Sequence, residues 1–263
     1  MDFHRVEANL RESFRTLASG RPRADLLEAS GVTIASLGAR FQMFNAAFLS
    51  SPVATSKELE QRLGFARTHF RSRNLPWALW VCEDWMETSV RRGLSQLCAS
   101  HGLRLTAEMP GMIASGMIAR PRHPLPEPEY VRVNSLQTLA DFRGIGSVCF
   151  HVPPEWFNEV FDESVPCARP GFECWVAYFD GAPVATAASV PSDGVIGLYN
   201  IATAPGYRGR GFGEAITRHL IDTARAGQPA CPIVLQSTSH GFRLYQRLGF
   251  KTTTRFVVYN SVR

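Results

Sequence analysis

The chain has 263 residues, 45% of them hydrophobic and 19% charged, and 28 Lys plus Arg against 23 Asp plus Glu leave a net charge of +5. That length makes one large domain or two ordinary ones, and that composition fills a sizeable core, which excludes a disordered chain; 21 Gly and 17 Pro also exclude collagen-like and low-complexity classes. No apolar run approaches the roughly 18 residues that a membrane span needs.

The first stretch, MDFHRVEANLRESF, carries acids early and has no apolar stretch of signal-peptide type, so a cytoplasmic protein is expected. Val6 to Leu17 is periodic and predicts a helix. Val32–Ala35 and Ala47–Leu49 are strand-like, and Lys57 to Arg73 predicts a second helix, stopped by Pro76. Ala78 to Cys82 (ALWVC) has the apolar density of a buried strand. Thr88 to His101 predicts a helix ending at Gly102, followed by a strand from Leu103 to Ala107 that continues towards Ile118. Trp77, Trp80 and Trp85 suit either the core or a cleft wall.

Ala119 to Glu129 (ARPRHPLPEPE) places Pro121, Pro124, Pro126 and Pro128 at short intervals, which disfavours helix and sheet pairing and predicts a stiff linker. It divides the chain into a domain at 1–120, a linker at 121–129 and a domain at 130–263. Beyond it, Leu136–Phe142 and Pro154–Phe161 are helical in pattern. Phe172–Phe179, Ala182–Val190 and Val195–Thr203 form an antiparallel meander, turning at Asp180-Gly181 and at Pro191 to Gly194. A glycine-rich loop follows, then a helix from Gly213 to Ala226 capped at Gly227, a strand at Ile233–Gln236, a helix at His240–Arg247 and a last strand at Lys251–Tyr259. The order predicts an α/β (α+β) layer fold, with helices covering a mixed, mostly antiparallel sheet.

Two features of composition are read blandly. Only Lys57 and Lys251 are lysines and the other 26 cations are arginines, a bias of residue choice spread over a solvated surface. Cys82, Cys98, Cys149, Cys167, Cys174 and Cys231 include no CxxC pair and sit largely in apolar runs, as reduced buried thiols do; no metal site is expected.

The chemistry concentrates in Pro205-Gly206-Tyr207-Arg208-Gly209-Arg210-Gly211-Phe212-Gly213-Glu214, which joins a strand end to a helix start. A helix N-terminus presents unpaired N–H groups and partial positive charge, glycines let an anion approach, and arginines add charge-assisted bonds. A P-loop would require Gly-Lys-Ser/Thr, where this chain has Glu214, and the two-residue spacing of Gly209, Gly211 and Gly213 fails the dinucleotide fingerprint.

Arg208-x-x-Gly211-x-Gly213, in the setting LYNIATAPGYRGRGFGEAI (Leu198–Ile216), resembles the acetyl-CoA segment of the GCN5-related N-acetyltransferases. HGFRLYQRLGF (His240–Phe250) resembles that family's second signature, a tyrosine ahead of Leu-Gly-Phe. The resemblance covers residues from about 130 to 263 and implies the acyl-CoA N-acyltransferase fold. It implies acetyl-CoA as co-substrate and direct acetyl transfer to a primary amine through a tetrahedral intermediate. Ile201, Ala202 and Thr203 match the strand that pairs with the pantetheine arm, the Ile201 N–H serving as oxyanion donor. Arg208, Gly209, Arg210, Gly211, Phe212, Gly213 and Glu214 match the pyrophosphate loop. Tyr245 matches the tyrosine that protonates the departing thiolate, a transfer suited to a phenol of pKa about 10 and a thiolate of about 8.5. Many members hold the cofactor with an asparagine seven residues before that tyrosine; here that place is Thr238.

No carboxylate stands on Ile233–Thr238 to serve as general base; Glu173, Tyr199, Asn200 and His240 are the alternatives. Gly93–Thr106 compares with Gly241–Thr254, and aligning Gly102 on Gly249 sets Leu97 on Leu244 and Cys98 on Tyr245. The first half thus reads as a degenerate second copy without a cofactor loop, walling the acceptor site. The acceptor stays open among a small-molecule amine, a protein N-terminus and an antibiotic, with no membrane partner. Two other readings are a non-catalytic acyl-CoA-binding or sensing protein and a nucleic-acid-binding protein acting through its arginines, which predicts steep salt dependence.

Overall fold

The structure, a computed structural model, describes residues 2–116, 118–162, 168–169, 172–226 and 230–262. The first half runs α1 (Asp2–Ala18), β1 (Asp25–Ala29), β2 (Val32–Ser36), β3 (Asn45–Leu49), α2 (Ser56–Ser72), β4 (Ala78–Cys82), α3 (Thr88–Ser100) and β5 (Leu103–Ala114). The second runs β6 (Glu129–Arg132), α4 (Leu136–Phe150), α5 (Pro154–Val160), β7 (Ala168–Arg169), β8 (Phe172–Phe179), β9 (Ala182–Ser192), β10 (Val195–Thr203), α6 (Phe212–Ala224), β11 (Ile233–Gln236), α7 (Phe242–Leu248) and β12 (Lys251–Ser261). Ser30-Gly31, Asp180-Gly181 and Asp193-Gly194 each place two successive residues at positive φ, the tight turn that matches strand twist in a hairpin.

Three strands, β1, β6 and β7, are not expected from the sequence, and one expected helix is longer. β1 has no counterpart in the sequence reading, because Asp-Leu-Leu-Glu-Ala leaves Leu26 46% and Leu27 40% exposed and so lacks an inward-facing alternation. α4 continues eight residues past Phe142, to Phe150, ending where His151 takes φ +55. The expected cap at Gly227, and Cys167, lie outside the described residues.

All strands join one sheet in the order β1-β2-β3-β4-β12-β5-β11-β10-β9-β8-β6, with β7 paired to β8. It is mixed and mostly antiparallel: only β3 with β4 and β10 with β11 run parallel. The two halves repeat one plan. Three antiparallel strands are followed by a helix on the sheet, a strand parallel to the third, a second helix and a long last strand. β1, β2, β3, α2, β4, α3 and β5 thus correspond to β8, β9, β10, α6, β11, α7 and β12. Gly102 (φ +74) and Gly249 (φ +99) end the corresponding helices α3 and α7, where a left-handed residue stops the helix and feeds the last strand.

The last strands are exchanged. β5 leaves its own half and pairs β11 from Gly111–Ala114 to Ile233–Gln236, while β12 pairs β4 from Phe256–Asn260 to Ala78–Cys82. β5 and β12 then pair with each other along most of their length, from Lys251↔Ile113 to Ser261↔Leu103. The middle of the sheet is therefore built from both halves.

Alternation along these strands feeds cores on both faces. Leu79, Val81, Val257 and Tyr259 pack under α2 and α3, whereas Ala78, Trp80, Phe256 and Val258 pack under α1. Met112, Ile196, Leu198 and Leu235 pack under α6 and α7. α1 buries Val6, Leu10, Phe14 and Leu17, spaced three and four residues apart on one helix face. Its polar residue Asn9, fully buried, crosses to the second half: Nδ2 donates to the Val190 carbonyl (2.9 Å) and Ser192 Oγ (2.8 Å), and Oδ1 accepts from the Tyr199 hydroxyl (2.6 Å). Gly197 is required beneath it, since an added Cβ would stand 1.8 Å from Asn9 Oδ1.

The exchanged strands predict that residues 130–263 expressed alone aggregate, because β11 then has no β5 beside it and β12 no β4. A protease cut in the 119–129 linker of the intact protein is expected to leave both pieces together in gel filtration. A stable monomer of 130–263 would refute this.

Candidate active site

The site forms where β10 and β11 part. They pair only at Ile196↔Ile233 and Gly197↔Val234, although β10 continues to Thr203 and β11 to Gln236. On its other edge β10 breaks register with β9 between Tyr199 and Ala202, with Asn200 at φ +51. This bulge takes the backbone of Asn200 and Ile201 out of the ladder, a common way to aim main-chain groups at a ligand.

A cavity of about 970 Å³ opens there. Its walls are Ile201–Thr203 of β10, the loop from Tyr207 to Glu214, Thr238, His240, Gly241, Leu244, Tyr245 and Arg247 around α7, Cys149–His151 at the end of α4, and Arg120 and Arg122–Leu125 of the linker. Every residue assigned to the site from the sequence lines this one space: Ile201, Ala202, Thr203, Arg208, Gly209, Arg210, Gly211, Phe212, Gly213, Glu214, Thr238 and Tyr245.

The loop is shaped by its glycines. Gly209 lies at φ +74 and Gly211 at φ +90, a region costly for other residues. Gly211 caps α6 without any side-chain bond, and the helical ladder starts only where the Ala215 N–H donates to the Gly211 carbonyl (3.0 Å). The first turn of α6 therefore presents N–H groups and the positive end of the helix dipole to the cavity wall.

The loop cations are held differently from one another. Arg208 Nε donates to the Thr203 carbonyl at 3.2 Å. The Arg210 guanidinium lies 5.2 Å from the Tyr207 ring centre and 5.4 Å from that of Phe212, in cation–π geometry. Glu214, the one carboxylate in the wall among the described residues, faces Arg218 (2.7 Å) and Arg247 (4.0 Å). Five arginines line the cavity, so it favours anions.

Tyr245 is buried on α7 with its ring against Gly241, where an added Cβ would stand 2.8 Å from Tyr245 Cε2. Burial pushes its phenol above the ordinary tyrosine range, which keeps it protonated at neutral pH. Thr238 shapes the turn into α7, its carbonyl accepting from the Gly241 (3.2 Å) and Phe242 (3.1 Å) N–H groups.

Of the four alternatives for a base, His240 alone lines the cavity. Glu173 lies on β8 in an ion pair with Arg132 (2.8 Å), and the Tyr199 hydroxyl is committed to Asn9. Asn200 stands in the bulge outside the wall, its Nδ2 buried without a partner. Trp77 and Trp80 are core residues, and Trp85 packs beside them; none reaches the cavity. The linker and α4 residues in the wall had no signal in the chemistry-bearing motifs, though the basic run Ala-Arg-Pro-Arg-His was there to be read.

The corresponding place in the first half is closed. Beyond β3, the Val53 N–H donates to the Trp85 carbonyl (2.7 Å) and the Glu87 N–H to the Val53 carbonyl (3.2 Å), bridging the gap before it can open. The start of α2 is capped by Thr55, which accepts from the Glu58 N–H, while the Glu58 carboxylate accepts from the Ala54 N–H (3.0 Å). Arg62, buried, fills the remaining space, donating to the carbonyls of Ser51 and Pro52 (2.7 Å each) and pairing with Glu58. Cys98, in the place of Tyr245, has its thiol pushed up to about 12 by burial.

Residues 170–252 match the acetyltransferase (GNAT) domain family. No curated protein matches the chain in sequence. Among solved structures, a GCN5-related N-acetyltransferase from Kribbella flavida superposes with a TM-score of 0.71 at 18% identity, covering 98% of this chain and 95% of that one. A conserved protein of unknown function from Staphylococcus epidermidis gives 0.66 at 14% identity over 90% and 94%. A tandem GNAT protein from the clavulanic acid biosynthesis pathway gives 0.55 at 12% identity over 98% and 93%. At such identities the structures share a fold. Residues 170–252 thus match the acetyltransferase (GNAT) domain family, and they lie in a sheet of the acyl-CoA N-acyltransferase fold that repeats one plan twice.

Proposed function

We propose that the protein is an acetyl-CoA-dependent N-acetyltransferase acting on a primary amine, with its single cofactor site in the second half, residues 130–263. The observation that carries this reading is the convergence of an uncapped helix N-terminus, a strand bulge and a buried neutral phenol on one cavity. The glycine loop is fit to hold a pyrophosphate. Gly209 has nothing within 4 Å of where a Cβ would be, and the N–H groups of Gly211, Phe212 and Gly213 precede the helical ladder. Arg208 and Arg210 add positive charge beside it.

Acetyl-CoA, when bound, supplies an activated acetyl thioester. The chain's own part is to align and to move protons. The β10 segment Ile201–Thr203 lies along the cavity as an edge for an extended amide-bearing arm, and the Ile201 N–H is the donor placed for a developing oxyanion. Tyr245 holds its proton at neutral pH and gives it to the leaving sulfur. His240, directly or through water, is the base among the candidates that reaches the cavity. Thr238 orients the start of α7 on which Tyr245 sits. The first half keeps the fold while Arg62 and the Val53–Trp85 bridge occupy the space of a second site, so we assign it no cofactor. The acceptor is an amine admitted past the end of α4, on a small molecule or a protein N-terminus.

A second reading, acyl-CoA binding without turnover, is favoured by one observation: the cavity's single carboxylate among the described residues is engaged by Arg218 and Arg247. Thiol release from acetyl-CoA against an amine panel separates the two. Tyr245→Phe is expected to lower kcat by about 100-fold or more while leaving the Kd for acetyl-CoA unchanged. Because burial raises the phenol, wild-type activity is expected to persist until pH passes the ordinary phenol value of about 10. Full activity in Tyr245→Phe would overturn its role, and tight binding with no turnover on any amine would favour the second reading. Gly211→Ala forces a side chain to φ +90, about 1–2 kcal/mol of strain. It also brings a methyl within 2.9 Å of Pro126 Cδ, so weaker acetyl-CoA binding in titration calorimetry is expected.

A further inference from the structure

The linker is more than a connection between two halves. It is fastened to the second half at both ends of its basic run. The Ala119 N–H donates to the Leu248 carbonyl (3.1 Å), and Arg218 Nη2 donates to the Ala119 carbonyl (2.6 Å). At the far end Pro126 packs over Gly211, and Pro128 is buried before β6 begins. Pro121 and Pro124 keep the intervening strap extended. The strap therefore crosses from the end of α7 to the start of α6, along the rim of the cavity.

Arg120, Arg122 and His123 on this strap line the cavity, and all three are exposed. The other cations of the wall have partners: Arg208 bonds the Thr203 carbonyl, Arg210 lies over aromatic rings, and Arg247 faces Glu214. Arg120 and Arg122 make no hydrogen bond or ion pair among the described residues. Two uncommitted guanidinium groups on a fixed strap that lines the same cavity as the glycine loop are a site for a second anionic group. Guanidinium suits a phosphomonoester, which it can grip with two parallel bonds.

We infer that the strap arginines Arg120 and Arg122 bind the ribose 3′-phosphate of the coenzyme and make the enzyme discriminate coenzyme A from its 3′-dephospho form. The inference rests on the proposed cofactor reading and adds to it a recognition element carried by the segment between the two repeats.

The test is equilibrium binding of coenzyme A and of 3′-dephospho-coenzyme A to the full chain at fixed ionic strength. Wild type is expected to bind coenzyme A about 10-fold or more tightly than the dephospho form, as two charge-assisted bonds allow. Arg120→Ala/Arg122→Ala is expected to collapse that ratio towards one by weakening coenzyme A alone, and Arg120→Lys/Arg122→Lys to restore part of it. An equal loss for both ligands, or a ratio that survives the double substitution, would overturn the inference while leaving the cofactor reading intact. Failure of wild type to bind either ligand would overturn the cofactor reading and the inference with it.

Discussion

The antiparallel pairing of β5 with β12 is the constraint on which the rest of the molecule depends. Each is the last strand of its own repeat, yet each completes the sheet of the other. The main-chain hydrogen bonds of that seam join the two repeats as continuously as any two neighbouring strands within one of them, so no weak polar surface separates the halves. α1 reinforces the seam from one face. Its Asn9 reaches the hairpin and the strand that lead into the site, and a fully buried amide with its bonds made is costly to pull away.

Against that shared frame, the difference between the repeats is local. Both have a strand parallel to the third, and in both the pair could diverge. In the second half divergence is kept by the bulge at Asn200 and by an uncapped glycine start to α6. In the first half Val53 is bridged to Trp85 and Glu87, the Ala54 and Glu58 N–H groups are taken by the Glu58 and Thr55 side chains, and Arg62 takes the Ser51 and Pro52 carbonyls. One repeat therefore offers the N–H groups of an uncapped helix start to a ligand, and the other has a side-chain cap at the same place. The contrast is one of hydrogen-bond satisfaction and needs no change in topology.

Much of this was legible in the residues. β10 and β11 were read at their observed bounds because Val-Ile-Gly-Leu and Ile-Val-Leu are dense apolar runs between turns. The glycine loop announced its position because only glycine adopts the φ values found at Gly209 and Gly211 at little cost. The exchange of β5 and β12 was not legible: both strands are flanked on either side by others, and the alternation that buries Met112 or Val257 is the same whichever neighbour they pair with. Arg62 gave no signal either, since an arginine on a polar helix face reads as solvated until Gly31, Ser51 and Pro52 fold around it. The linker's prolines declared its stiffness, but Arg120 and Arg122 acquire a direction only once Ala119 is tied to Leu248 and Pro126 to Gly211.

The exchange also orders events during synthesis. β4 at residues 78–82 waits for β12 at residues 251–261, so its outer edge stays unpaired until almost the whole chain has left the ribosome. In the meantime β5 is the equivalent strand of the same repeat and the first to become available. The nascent chain is thus offered a local partner for β4 that the finished protein does not use. Pairing β4 with β5 would leave β12 to pair with β11, a second strand order that also covers every inner edge. The protein's last strand decides between two sheets that its first hundred residues cannot distinguish.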